Sequence, residues 1–326
     1  MKVSVLMVTY NHEKYIVEAL DSVLMQKVDF DYEIVIGEDC STDNTRDILI
    51  DYQRKHPDKI KLLLQEQNLG CYGKYNFIQA FNACRGQYIA LLEGDDYWTS
   101  PEKLQKQADF LDSHTECAIC FHNVMVIYDD SQRVSHPFYV QHPNSPFMQG
   151  KPRPISTLED LIKGNFIQTP SVMFRARLFE KLPNWFHMAF PGDWALHMLN
   201  AQNGNIRYID EVMGTYRVHS GGFWSSKALI QKLRGEIEVC RFINTHFNFR
   251  YNKRIRSAIA LRYLLIAEEY KRNGNPIKAL MNLCKYITRF SPDKHISLKR
   301  LSLMIIELSS PMFYNFLKNF KRKFFN

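Results

Sequence analysis

No apolar stretch of this 326-residue chain approaches the roughly eighteen consecutive residues of a membrane-crossing helix. The opening MKVSVLMVTYNH is too short in apolar run for a signal peptide and reads as a strand. The expectation is a cytoplasmic protein. Cysteine usage agrees: there are seven, an odd number, scattered and mostly inside apolar segments, so no disulfide framework is implied. Cys117-Ala-Ile-Cys120 followed by His122 lacks the second ligand pair that a zinc site needs. In a strand, Cys117 and Cys120 also point to opposite faces. No GxGxxG follows the first strand, and no GxxxxGK followed by Ser or Thr appears anywhere. A dinucleotide dehydrogenase and a P-loop enzyme are therefore disfavoured, and any phosphates are left to metal and side chains. There is no repeat of fixed period and no low-complexity segment.

What is present is ordinary globular composition, 45% hydrophobic and 23% charged, enough for one large domain and an appendage. The net charge of +8 hides a split. Residues 227–326 carry 21 Lys/Arg against 6 Asp/Glu, a balance of +15, which leaves −7 on the first 226 residues. Such asymmetry implies two parts with different surroundings.

The first part alternates strand and helix. Val3–Val8, Tyr32–Gly37, Ile60–Leu64, Tyr88–Leu92 and Cys117–Tyr128 read as strands. Glu13–Met25, Asp43–Tyr52 with Ser41 or Thr42 as its cap, and Tyr75–Cys84 read as helices, as does the segment that Pro101 opens behind Ser100. Later come a strand at Ser171–Phe174, a helix behind Phe190-Pro-Gly-Asp-Trp194, and a strand at Val212–Val218. This predicts an α/β fold with a Rossmann-like, mostly parallel sheet flanked by helices. Residues 129–156, rich in Pro, His, Ser and Gln, read as a long irregular loop.

In such sheets ligands bind beyond the carboxyl ends of the strands. Four polar loops fall there: Thr9-Tyr10-Asn11, then Glu38 to Asp43, then Asn68-Leu69-Gly70, and finally Glu93-Gly94-Asp95-Asp96-Tyr97. The last places three carboxylates at the exit of a buried strand, a set of hard oxygen donors suited to Mg²⁺ or Mn²⁺. Asp193 stands at the start of a helix, where Asp is also a favoured cap.

Five segments in this order resemble the family 2 glycosyltransferases of GT-A fold, over roughly residues 1–225: VSVLMVTYNHEKYIVEALDSVLMQ, GEDCSTDNT, NLGCYGKYNF, LLEGDDYWTSPEKLQKQ and FPGDWALHMLNAQNGNIRYIDEVMGTYRVHSGGFWS. The resemblance implies inverting, metal-dependent transfer of a hexosyl or N-acetylhexosaminyl group. The donor would be a nucleotide-sugar, by family habit UDP-linked. The acceptor would be a glycan or lipid-linked molecule of bacterial surface polysaccharide synthesis. Thr9, Tyr10, Asn11, Asp39, Asn68, Lys74 and Asp95 would bind the donor. Glu93, Asp95, Asp96 and His219 would serve the metal, with Glu93 standing where the family usually has Asp. Asp193 would be the general base.

Residues 226–326 read as a basic helical region, with Leu261–Tyr270 and Ile277–Phe290 forming a helical hairpin. Its end, Ser297–Phe325, mixes basic and aromatic residues in a way that suits an anionic membrane surface. The resemblance makes membrane the preferred partner over nucleic acid and places the protein peripherally on the inner face of the plasma membrane. Oligomeric state stays open. Two rival readings are a sugar nucleotidyltransferase, whose glycine-rich loop with Arg and Lys is absent from TYNHEKY, and a noncatalytic nucleotide-binding scaffold, which the carboxylates argue against.

Overall fold

The computed structural model describes residues 1–130, 132–139, 152–179, 181–222 and 224–289. The basic aromatic segment 297–325 and the middle of the 129–156 loop lie outside them. The chain divides into two compact units, Met1–Ser226 and Lys227–Asn326.

The first unit is built on one sheet in the order β3-β2-β1-β4-β9-β6-β10-β5. Its parallel half is β1 (Val3–Thr9), β2 (Tyr32–Glu38), β3 (Ile60–Leu64) and β4 (Tyr88–Glu93). Strands β6 (Cys117–Tyr128) and β10 (Asn205–Val218) are parallel to each other. Between the halves lies β9 (Met173–Arg175), antiparallel to both β4 and β6, so all six long strands point the same way. Short antiparallel pieces complete the edges: β5 (Tyr97–Trp98), β7 (His136–Pro137) and β8 (Ile155–Ser156).

The long central strands are buried on both faces, hence their unbroken apolar runs. Val3, Val5 and Met7 join Ile34, Ile36, Ala90 and Leu92 in a core closed by α1 (Ile16–Leu24), α2 (Thr45–Lys55) and α4 (Lys103–Ser113). α3 (Lys74–Ala83) packs on β1 and β2, its Phe81 stacked on Phe174 of β9 at 6.5 Å. α5 (Leu158–Lys163) leads to α6 (Gly192–Ala201), which is buried along most of its length.

Helix starts differ from the sequence reading because loop side chains bind the N–H groups ahead of them. α1 opens at Ile16, not Glu13, because Glu13 is held by the next loop: its N–H donates to Asp43 and its carboxylate accepts from Asn44 N–H. α2 opens at Thr45, and neither Ser41 nor Thr42 caps it. Asp43 instead accepts from the Thr45 N–H and hydroxyl. Strand β10 starts seven residues before the expected Val212 and pairs with β6 through several register shifts.

The second unit contains α7 (Leu229–His246), α8 (Asn252–Arg272) and α9 (Pro276–Arg289), consecutive helices that pack α7 on α8 and α8 on α9. Among the described residues no helix is long and apolar enough to cross a membrane.

Candidate active site

The strand directions bring the ends of β1, β2, β4 and β10 to one edge of the sheet. β4 delivers Glu93, and the turn after it delivers Asp95 and Asp96. Their carboxylate oxygens lie within 4.8 Å of one another. Gly94 has to be glycine: a Cβ there would sit 2.7 Å from Thr9 Oγ1 and 2.9 Å from His12 Nδ1. The acidic turn is thus pressed against the exit of β1.

The three carboxyls differ in charge because their neighbours differ. Burial pushes Glu93 up to about 8, with the negative charges of Asp95 and Asp193 adding and Lys74 opposing. Asp96 is also held well above the carboxylate range, by burial first and then by Asp95 and Glu93. One of its oxygens accepts the Arg217 N–H at 2.7 Å. Burial would raise Asp95 too, but the hydrogen bond with His219 and the neighbouring imidazoles outweigh it and hold Asp95 below its ordinary value. His219 Nε2 lies 3.0 Å and His12 Nε2 3.8 Å from the same oxygen, Asp95 Oδ2. Asp95 Oδ1 and Asp96 Oδ2 are buried with no hydrogen-bond partner. Oxygen donors so close together, two of them orphaned, fit a divalent cation.

Asp193 stands in the first turn of α6 and does not cap it: Pro191 holds the cap position. Its Oδ2 accepts from Asn165 Nδ2 at 2.8 Å. Lys74, at the start of α3, feels both Asp193 and Glu93, yet burial keeps its pKa below the ordinary lysine value. Gly192 makes room for it, since a Cβ there would fall 2.4 Å from Lys74 Nζ. Tyr216 on β10 lies in the field of all four acids, and burial together with that field raises its phenol.

The other expected donor-binding residues line the same edge and brace one another. Thr9 is buried with its hydroxyl unbonded, while Tyr10 is 41% exposed. Asn11 takes a left-handed backbone (φ 56°), its N–H donating to Ser41 Oγ and its Oδ1 accepting Thr42 N–H at 2.8 Å. His12 N–H donates to Thr45 Oγ1. Asp39 accepts the Leu69 N–H at 2.9 Å, and burial raises its pKa. Asn68 Nδ2 donates to the Asp39 carbonyl. The structure therefore brings the carboxylates of Glu93, Asp95 and Asp96 within 4.8 Å of one another, bonds His219 to Asp95, and sets Lys74 and Asp193 near enough for their charges to act on Glu93.

Sequence reasoning missed His12, Asn165, Arg217 and Tyr216. Arg217 bonds the Asp95 carbonyl at 2.9 Å and lies over the Tyr15 ring at 4.8 Å. His12 had a signal, its place directly after Asn11. For Asn165 the sequence carries none, because its partner is 28 residues away.

An uncharacterized protein of Mycobacterium bovis is 38% identical over 224 residues, 68% of this chain and 60% of its own length. The chain thus spans less than two thirds of that relative. The poly(ribitol-phosphate) beta-N-acetylglucosaminyltransferase TarS of Staphylococcus aureus is 39% identical over a shorter stretch, 35% of this chain and 19% of its own. The crystal structure of its residues 1–349 with UDP-GlcNAc superposes with a TM-score of 0.64 at 22% identity, covering 89% of this chain and 82% of that one. A mannosyltransferase from Pyrobaculum calidifontis, solved with GDP-Man and Mn²⁺, gives a TM-score of 0.54 at 14% identity over 94% and 86% of the two chains. These likenesses give the GT-A fold expected from the motifs. The model of glycosyl transferase family 2 matches residues 4–183, more than half of the sequence, and the chain belongs to that family.

Proposed function

We propose that this protein is an inverting glycosyltransferase that moves a sugar from a nucleotide-sugar, in our reading UDP-linked, to a hydroxyl of a surface glycan or its lipid-linked precursor. The observation that carries the reading is the set Glu93, Asp95 and Asp96 within 4.8 Å at a strand end, with Asp193 close enough for its charge to act on Glu93. The TarS relative is supportive, being by name a transferase that acts on a polymer and one solved with UDP-GlcNAc.

Asp95 and Asp96, with Glu93, would hold Mn²⁺ or Mg²⁺, which when bound offsets the charge that develops on the departing diphosphate. The remaining chemistry belongs to the chain. Asp193 is oriented by Asn165 through one oxygen, leaving the other to take the acceptor's proton. The acceptor oxygen forms a bond to the anomeric carbon as the bond to the diphosphate breaks. The proton passes to Asp193 and the electron pair leaves with the nucleotide. A single displacement inverts the anomeric centre and needs no nucleophilic carboxylate. Thr9, Tyr10, Asn11, Asp39 and Asn68 form the wall for base and ribose, and His219 stands by Asp95 where the diphosphate would lie.

The test separates binding from chemistry. Asp193→Asn is expected to bind UDP with Mn²⁺ as the parent does and to lose about 10²–10⁴-fold in transfer. Asp95→Asn is expected to lose the thermal shift that Mn²⁺ and UDP together produce. Parent-like turnover in the first variant, or a parent-like shift in the second, would remove the basis of the reading.

A further inference from the structure

The second unit carries a groove of about 550 Å³ whose lining repeats itself. One station consists of Arg234 on α7, Tyr270 on α8 and Lys278 on α9. The other consists of Arg241, Tyr263 and Lys285 on the same three helices. In each, the arginine donates to the tyrosine hydroxyl, Arg234 at 3.1 Å and Arg241 at 3.2 Å. In each, the lysine ammonium lies over the ring, Lys278 at 5.5 Å and Lys285 at 5.4 Å. The step between stations is seven residues on every helix, two turns, so the two lie roughly 10 Å apart along the groove. Ile237, Ile266 and Met281 help form the floor. Among the lining residues only Glu238 is acidic, and it is engaged by Arg241.

With Arg241 paired to Glu238, three exposed cations around the groove, Arg234, Lys278 and Lys285, have no other carboxylate in its lining, and an anion seated between them would offset their mutual repulsion. We propose that this groove binds a linear phosphodiester polymer, one phosphate to a station. What becomes of the bound polymer rests on the transferase reading; the binding does not. The donors of a station come from three helices and so approach from different directions. Tetrahedral phosphate oxygens can meet them, whereas a planar carboxylate accepts within its own plane. A nucleic-acid strand is a poor match, since it needs free ring faces on which to stack bases. Here the lysines cover those faces.

The experiment uses the full chain without donor. A synthetic ribitol-phosphate oligomer, polygalacturonate, single-stranded DNA and anionic phosphatidylglycerol vesicles are the four probes. The parent is expected to bind the ribitol-phosphate oligomer more tightly than the other three. Lys278→Gln with Lys285→Gln is expected to weaken that binding about ten-fold or more. Arg250→Gln with Arg256→Gln removes the same charge outside the groove lining and is expected to change it less than about two-fold. Equal loss in both pairs, or tighter binding of any other probe by the parent, overturns the proposal. UDP binding on the same samples keeps the two readings apart. If UDP fails to bind while the oligomer still binds through Lys278 and Lys285, it is the transferase reading that falls.

Discussion

Lys103 shows what a single residue can conceal. It is fully buried, its ammonium sits 3.7 Å from the centre of the Trp98 ring, and Nζ has no hydrogen-bond partner. Burial holds its pKa well below the ordinary value, so the native amine resists the proton that the unfolded chain takes up. Stability is therefore lost as pH falls below the unfolded lysine value near 10.4. Lys103→Met keeps the shape and removes that loss. It is expected to raise stability at neutral pH by about 1–2 kcal/mol, read from urea unfolding. A less stable variant would mean that the ammonium stays charged over the indole. Nothing in PEKLQ marks this lysine as an inward one. The acidic site was legible because its three carboxylates are neighbours in sequence. Asn165 and Tyr216 were not, because what they touch is set by the fold.

At the scale of elements, two glycines separate structure from chemistry. A Cβ on Gly86, just before β4, would lie 2.4 Å from Ser4 N and 2.7 Å from the Tyr88 carbonyl, all backbone that cannot step aside. Gly86→Ala is expected to cost about 1–3 kcal/mol, read from the melting temperature. A Cβ on Gly192 meets only the flexible end of Lys74. Gly192→Ala is expected to leave the melting temperature nearly unchanged while lowering transfer, since Lys74 must leave its place between Glu93 and Asp193. Loss of stability without loss of rate would reverse this assignment. Strands were readable from apolar runs, and β1, β2, β3, β4 and β6 begin where those runs begin; the starts of β10, α1 and α2 were not readable. Side chains of neighbouring loops compete for the first N–H groups of α1 and α2, and that competition is tertiary.

For the whole molecule, two buried imidazoles cost stability in acid, while the raised carboxyls of Glu93 and Asp96, protonated first in the native state, oppose them. Burial lowers His122 to about 3 and His197 to about 4, and both ring nitrogens of His197 lack partners. The unfolded chain protonates both near 6.5 while the native state refuses, so their share of the stability drops as pH falls from 6.5 toward 4. Each contributes up to about 1.4 kcal/mol per pH unit. His197→Leu is expected to flatten that slope by one proton's share, measured by thermal melts across the range; an unchanged slope would place the sensitivity elsewhere. The alternation of strands and helices gave away the sheet at this scale. The antiparallel β9 did not announce itself, because three residues carry too little pattern to show their direction.

The hydrogen bonds running from Asn11, His12 and Glu13 to Ser41, Thr42, Asp43, Asn44 and Thr45 join two connecting segments into one piece. That piece is set in place when the chain folds. On the proposed function, a nucleotide arriving later would meet a finished wall with little left to order, so the entropy of assembling this side of the site would be spent once per protein lifetime and not once per turnover.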